Sequence, residues 1–281
     1  MPVYADAHCH LHHPSMRSQL ETLLADKKKV HLVCAGISSR DWPQLLKLQR
    51  DMQSKHPHSC IECCFGIHPW EAANISASPD ALAEAEARLE SVLRDQAPSA
   101  AAVGEIGLDR AWLARQTPPC REQLWDTQKQ LLAMQLSAAQ RWQLPAVLHC
   151  VKAHGTMQEM LRKVPTLPPS FLHGFYGPPE ALRIYADLKL YVSFSTAQLL
   201  KDWHSLDWQE RGKPRWQTSA DALPLNRILL ESDSGPQADG SPSPPRRADQ
   251  AAMPLAELYR CSADDILEQA GLNLASWLHR R

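Results

Sequence analysis

The sequence has no surplus of either charge: 30 Lys and Arg stand against 31 Asp and Glu, a formal net charge of −1 over 281 residues. Without a global basic field, non-specific coating of nucleic acid is excluded, and any nucleic-acid contact must rest on a local patch. No uninterrupted apolar run approaches the roughly 18 residues of a membrane-spanning helix. The start, Met-Pro-Val-Tyr-Ala-Asp, lacks the basic and then apolar regions of a secretory signal. The expectation is a soluble, cytoplasmic chain with no membrane partner. Regular cysteine spacing is missing too. Cys9, Cys34, Cys60, Cys63, Cys64, Cys120, Cys150 and Cys261 are scattered, which suits reduced thiols and excludes a disulfide miniprotein. Cys60 and Cys63 have C-x-x-C spacing but no second ligand pair, so this cluster reads as buried free thiols. An apolar fraction of 44% with 22% charged residues excludes collagen-like and disordered classes.

Short apolar runs alternate with helix-period segments along the whole chain. Eight runs stand out: Val3 to Ala5, Val30 to Ala35, Ile61 to Gly66, Ala101 to Ile106, Ala146 to His149, Ser170 to His173, Leu190 to Phe194 and Arg227 to Leu230. Helices are expected after Ser78-Pro79 (stripe Leu82, Ala85, Leu89, Val92) and after Thr117-Pro118 (Leu124, Leu131, Met134, Ala138). Met157, Met160, Leu161 and Val164 mark another. The last starts at Ser262, with Asp265 in the capping-box position before Ile266, Ala270, Leu274 and Trp277. Eight alternating strand and helix units predict α/β architecture, a single (β/α)8 TIM barrel over residues 1–281. Two stretches break the rhythm. Residues 235–246, rich in Pro, Gly and Ser, predict a mobile rim loop after the eighth strand. Trp203, His204, Trp208, Arg211, Lys213, Arg215 and Trp216 mix aromatic and basic side chains after the seventh; such a loop could stack bases and hold phosphates, or simply pack.

The chemistry gathers at strand ends. In Asp6-Ala7-His8-Cys9-His10, residues i and i+2 share a strand face, so His8 and His10 can converge on one divalent ion, or stand as two polar rim histidines. The fourth run leads into Gly104-Glu105-Ile106-Gly107-Leu108-Asp109, the fifth ends in His149, the sixth in His173, and the eighth leads through Glu231-Ser232-Asp233. Barrel enzymes place catalytic side chains at these C-terminal ends. Taken together, six ligand-type residues so placed point to a metal site.

These segments, with Phe65-Gly66-Ile67-His68-Pro69, resemble those of the TatD family of metal-dependent deoxyribonucleases, and the resemblance runs across nearly the whole chain. It implies a hydrolase with two divalent metal ions (Mg²⁺, Mn²⁺ or Zn²⁺): His8 and His10 hold one, His149 and His173 the other, Glu105 bridges them, and Asp233 binds beside the first and orients the attacking water. Two adjacent cations suit phosphodiester cleavage. His68 would lie near the phosphate without binding metal. The implied activity is cleavage of DNA, by a monomer, from single-stranded or 3′ ends in the 3′–5′ direction. Where the family often has Arg, this chain has Val151 followed by Lys152, which would supply the phosphate contact as a point charge. The motifs His173-Gly174-Phe175-Tyr176-Gly177 and Glu231-Ser232-Asp233-Ser234-Gly235 also depart from the family's commoner forms. Other readings on the same barrel are an amidohydrolase, lactonase or small phosphoesterase, and a catalytically silent binding protein. Arg110, Trp112 and His154 are secondary candidates at the mouth.

Overall fold

The computed structural model describes residues 3–278 apart from 28, 77, 79, 97, 98, 195, 205–221, 238 and 245. Among the described residues seven strands, β1 Tyr4–Cys9, β2 Val30–Ala35, β3 Cys60–Phe65, β4 Ala100–Asp109, β5 Ala146–Val151, β6 Ser170–Phe175 and β7 Tyr191–Phe194, pair in sequence order as one parallel sheet. Parallel neighbours need crossover connections, and helices such as Trp42–Lys55 and Arg121–Arg141 provide them. The eighth run is shorter than expected, a single parallel bridge between Ile228 and Val192. The Leu229 amide donates to the Val192 carbonyl at 3.0 Å, and on the other side the Ala7 amide donates to the Leu230 carbonyl at 2.8 Å. This segment therefore joins β7 to β1 and closes the TIM barrel. Asn273 Nδ2 donates to the carbonyls of Ile228 at 2.7 Å and Leu225 at 2.9 Å, so a helix side chain satisfies groups that a longer strand would have paired.

Two apolar layers hold the barrel. The larger lies between sheet and helices. The smaller fills the interior with Ala7, Val33, Ala35, Cys64, Val147 and Phe171, and Leu274 and Trp277 of the last helix pack into it. Trp277 is fully buried, meets Phe171 edge-on at 5.4 Å and donates to the Pro169 carbonyl at 3.2 Å. Trp277→Ala should lower stability by about 3–5 kcal/mol, measured by urea denaturation. A loss no larger than that of an exposed helix site such as Leu272→Ala would show that the indole does not seal the barrel.

The helix stripes hold with small adjustments. Ala81–Asp95 buries Ala85, Leu89 and Leu93, with Leu93 in place of the expected Val92. Arg121–Arg141 buries Leu124, Leu131 and Ala138, and His154–Arg162 buries Met157 and Leu161, ending before Val164. The capping box is present: Asp265 Oδ2 accepts from the Ser262 amide at 2.8 Å, and Ser262 Oγ accepts from the Asp265 amide at 3.1 Å. In the stretch expected as a rim loop, Pro236 pairs with Pro242, and the Gln237 amide donates to the Ser241 carbonyl at 2.7 Å. Of the aromatic and basic loop, Trp208, Arg211, Lys213, Arg215 and Trp216, with the side chains of Trp203 and His204, lie outside the described residues. The eight cysteines are free, but Cys60 is exposed where burial was expected, because it opens β3 at the rim. Among the described residues no helix is long and apolar enough to cross a membrane.

Candidate metal centre

Strand pairing slips between Cys63 and Cys64 on β3 and at three places nearer the mouth: between Asp6 and Cys9 on β1, between Val103 and Ile106 on β4, and between Leu172 and Phe175 on β6. His8, Glu105 and His173 sit within those breaks. An irregularity of this kind bends a strand and re-aims its side chains, so the three need not follow strict alternation. β1 also runs to Cys9, beyond the expected Ala5, and β4 to Asp109, beyond Ile106. The polar residues that seemed to end these strands continue them, because their side chains are buried at the mouth. Gly107 lets β4 approach β5: a Cβ there would lie 1.9 Å from the His149 carbonyl oxygen.

The result is a cluster around one buried carboxylate. Glu105 Oε2 lies 3.3 Å from His8 Nε2 and 3.4 Å from His10 Nε2. Its Oε1 lies 2.8 Å from both His149 Nδ1 and His173 Nε2, and 3.2 Å from His68 Nε2. Asp233 Oδ1 stands 3.7 Å from the Nε2 atoms of His8 and His10. All six expected ligands thus meet, and His68 joins them. Lys152 does not: it is exposed, on a left-handed turn with φ 53°. His154 turns instead to Tyr185 Oη at 3.0 Å, and Arg110 lies over the Trp125 ring at 4.3 Å.

The donor set fits divalent cations. A carboxylate offers about four lone-pair sites, yet five imidazoles crowd Glu105. Both ring nitrogens of His8, with His149 Nε2 and His173 Nδ1, are buried without a hydrogen-bond partner. His8, His10 and Asp233, and His8, Glu105 and His173, each bring ligand atoms within 4.8 Å of one another. One outer partner orients a ring as in metal sites, the Ala35 carbonyl at 2.8 Å from His10 Nδ1; Asp109 Oδ2 at 3.5 Å from His149 Nε2 and Glu231 Oε2 at 3.8 Å from His173 Nδ1 stand behind two more at ion-pair distance, without a hydrogen bond. His68 is different. Its Nδ1 accepts from the Trp70 amide at 3.3 Å, which in the neutral ring places the proton on Nε2, facing Glu105.

Charge follows the same pattern. Burial opposes ionisation of Glu105, but His173, His68 and His8 hold its carboxyl well below the usual range. Burial likewise lowers His173, and Glu105 and Glu231 overcome it, leaving that ring well above its ordinary value. His149 is raised by Asp109 and Glu105 against its own burial. Burial lowers His68 to about 4, in keeping with a neutral ring. Asp109 and Glu231 stand in sequence motifs that by themselves assign them no role. Alternation along β4 from Glu105 through Gly107 to Asp109 is the signal that could have placed Asp109 on the cluster face. Trp70, whose Nε1 donates to Asp109 Oδ2 at 2.7 Å, had no such signal.

Asp6 lies outside the cluster and ties it together, accepting the amides of Ser232 at 3.0 Å and His8 at 3.3 Å. Burial, only partly offset by Ser232 and His8, raises its carboxyl from 3.8 to about 7. A raised carboxyl binds its proton in the folded state, so this contribution is complete below the unfolded value and is lost as pH rises through about 7. Through Asp6 alone, stability should fall by about 4 kcal/mol between about pH 4 and pH 8. Asp6→Asn keeps an acceptor oxygen and should flatten that slope in melting curves of the metal-free protein. Identical slopes in both proteins would count against a protonated Asp6.

The TatD related DNase model matches residues 5–279. The Escherichia coli K12 protein named uncharacterized metal-dependent hydrolase YjjV is 26% identical over 277 residues, 96% of this chain and 95% of its own. The Salmonella typhimurium 3′-5′ ssDNA/RNA exonuclease TatD is 27% identical over 207 residues, 72% of this chain and 66% of its own. The crystal structure of Escherichia coli YjjV shares the fold with a TM-score of 0.75 at 23% identity, over 99% of this chain and 98% of its own. With a family match over nearly its whole length, this chain belongs to the TatD-related DNase family of metal-dependent hydrolases.

Proposed function

We propose that the chain is a two-metal phosphodiesterase that removes nucleotides from the 3′ ends of single-stranded DNA. The observation that carries this reading is the division of imidazoles by Glu105: His8 and His10 face one oxygen, and His149 and His173 face the other. In this reading His8, His10 and Asp233 hold one divalent cation, His149 and His173 hold a second, and Glu105 serves both. Such a pair supplies a water of lowered pKa and neutralises charge on the phosphoryl oxygens. Asp233, with a side chain 44% exposed, reaches the mouth, where it would take the proton of the attacking water. His68 donates from Nε2 toward Glu105 and lies close enough to turn that proton toward a phosphate oxygen. The Ala35 carbonyl fixes the ring of His10, and the Asp109 carboxylate stands 3.5 Å behind that of His149. Trp70 is 42% exposed and its ring lies 4.5 Å from that of His68; with its indole held by Asp109, it offers a flat face for the terminal base. Lys152, exposed three residues beyond His149, would contact a phosphate further along the strand. A barrel mouth admits a free end more readily than a continuous duplex.

The test is digestion of 3′- and 5′-end-labelled single-stranded DNA, duplex DNA and RNA by metal-stripped protein refilled with Mg²⁺, Mn²⁺ or Zn²⁺. Early release of the 3′ label as mononucleotide, dependent on added metal, is the expected result. Internal fragments would overturn the exonuclease mode. Absence of cleavage by folded, metal-loaded protein would transfer the site to a small-ester or amide substrate.

A further inference from the structure

β2 and β3 begin at the end of the barrel opposite the Glu105 cluster, and three ligand-type side chains meet there. His31 and Cys60 are direct partners in the β2–β3 register. Glu62 is two residues beyond Cys60, on the same face. Cys60 Sγ donates to Glu62 Oε1 at 3.4 Å, and His31 Nε2 lies 3.5 Å from the same oxygen. That nitrogen is sheltered from solvent and makes no hydrogen bond. One ligand atom from each residue lies within 4.8 Å of the other two. Cys60 is exposed, so an ion in solution can reach the group.

We propose that His31, Cys60 and Glu62 form a further metal site, for one transition-metal ion of the Zn²⁺ class, at the N-terminal end of the barrel. A thiolate, an imidazole and a carboxylate match the ligand preferences of Zn²⁺ and not those of Mg²⁺ or Ca²⁺, which favour oxygen throughout. Three protein ligands leave the fourth tetrahedral position to water. Binding exchanges a proton for the metal: the Cys60 S–H bond breaks, the sulfur binds the ion as thiolate, and the proton passes to solvent. An ordinary thiol is protonated at neutral pH, so uptake there releases one proton and tightens as pH rises. The bound ion would clasp the first residues of two adjacent strands.

Co²⁺ is the probe, because a thiolate ligand gives it a charge-transfer band in the near ultraviolet that nitrogen and oxygen ligands do not. The Glu105 cluster contains no cysteine. The thiols nearest it in sequence turn away, Cys9 to Cys34 and Cys150 to His154. The band is expected in the wild type and in Glu105→Gln, and lost in Cys60→Ser and His31→Gln. Equilibrium dialysis with Zn²⁺ should give Cys60→Ser one equivalent fewer than the wild type. Cys60→Ser is nearly isosteric at an exposed position, and circular dichroism is the check on its fold. No band in the wild type, a band that survives Cys60→Ser, or one abolished by Glu105→Gln would each overturn the assignment.

Discussion

Glu105→Gln should abolish hydrolysis, lowering the rate at least about 10³-fold, and should strip the protein of bound metal. The size of the effect follows from position. Glu105 is 3% exposed and each of its oxygens faces a separate set of imidazoles. Losing a partner outside the ligand shell already costs about 10–100-fold in metal affinity or activity; a group serving both cations should cost more. Gln keeps the volume but replaces one acceptor oxygen with an amide that points its hydrogens at His8 and His10 or at His149 and His173. It also removes the charge that raises His173, so that ring should titrate at lower pH in the metal-free variant, by NMR. Metal content by mass spectrometry and turnover of a small phosphodiester are the deciding measurements. A rate within about tenfold of wild type, equivalent to some 1.4 kcal/mol, at unchanged metal content would make Glu105 a packing residue.

The barrel was legible because its signals are repetitive: alternating apolar runs and helical stripes leave few other architectures. The cluster was legible because strand alternation brings His8 and His10 together and Glu105, His149, His173 and Asp233 stand at further strand ends; the family resemblance then implied their roles. Less legible was anything that depends on a broken pattern. The slips around His8, Glu105 and His173 re-aim side chains, and no local composition announces them. The shortness of the closing segment, Ile228 to Leu230, rests on Asn273, 45 residues beyond Ile228. Cys60 was read with Cys63 and Cys64 because they adjoin in sequence, yet its neighbours in space are His31 across the ladder and Glu62. His68 illustrates a case where two readings coexist. It caps the turn at Pro69 through Nδ1 and faces Glu105 through Nε2, because an imidazole has two distinct nitrogens.

Asp233→Asn should lower kcat by about 10²–10⁴-fold, the range for loss of a general base, while KM for a small phosphodiester changes little. Asp233 is set apart from Glu105 by exposure, 44% against 3% for the side chains, so it is the carboxylate of the cluster that meets incoming water. Its backbone lies in the left-handed region at φ 49°, and its amide donates to the His8 carbonyl at 3.0 Å. Asp and Asn tolerate that conformation better than other side chains. Asn therefore removes the proton acceptor without moving the turn, whereas Asp233→Ala would add backbone strain and confuse the two effects. Melting temperature should accordingly hold in the Asn variant and drop in the Ala variant. His8, His10 and Glu105 remain in place, so metal content at saturating ion should stay near wild type. If the Asn variant instead regains full turnover once metal is raised, Asp233 acts only as a ligand, and the proton of the attacking water must leave by another group.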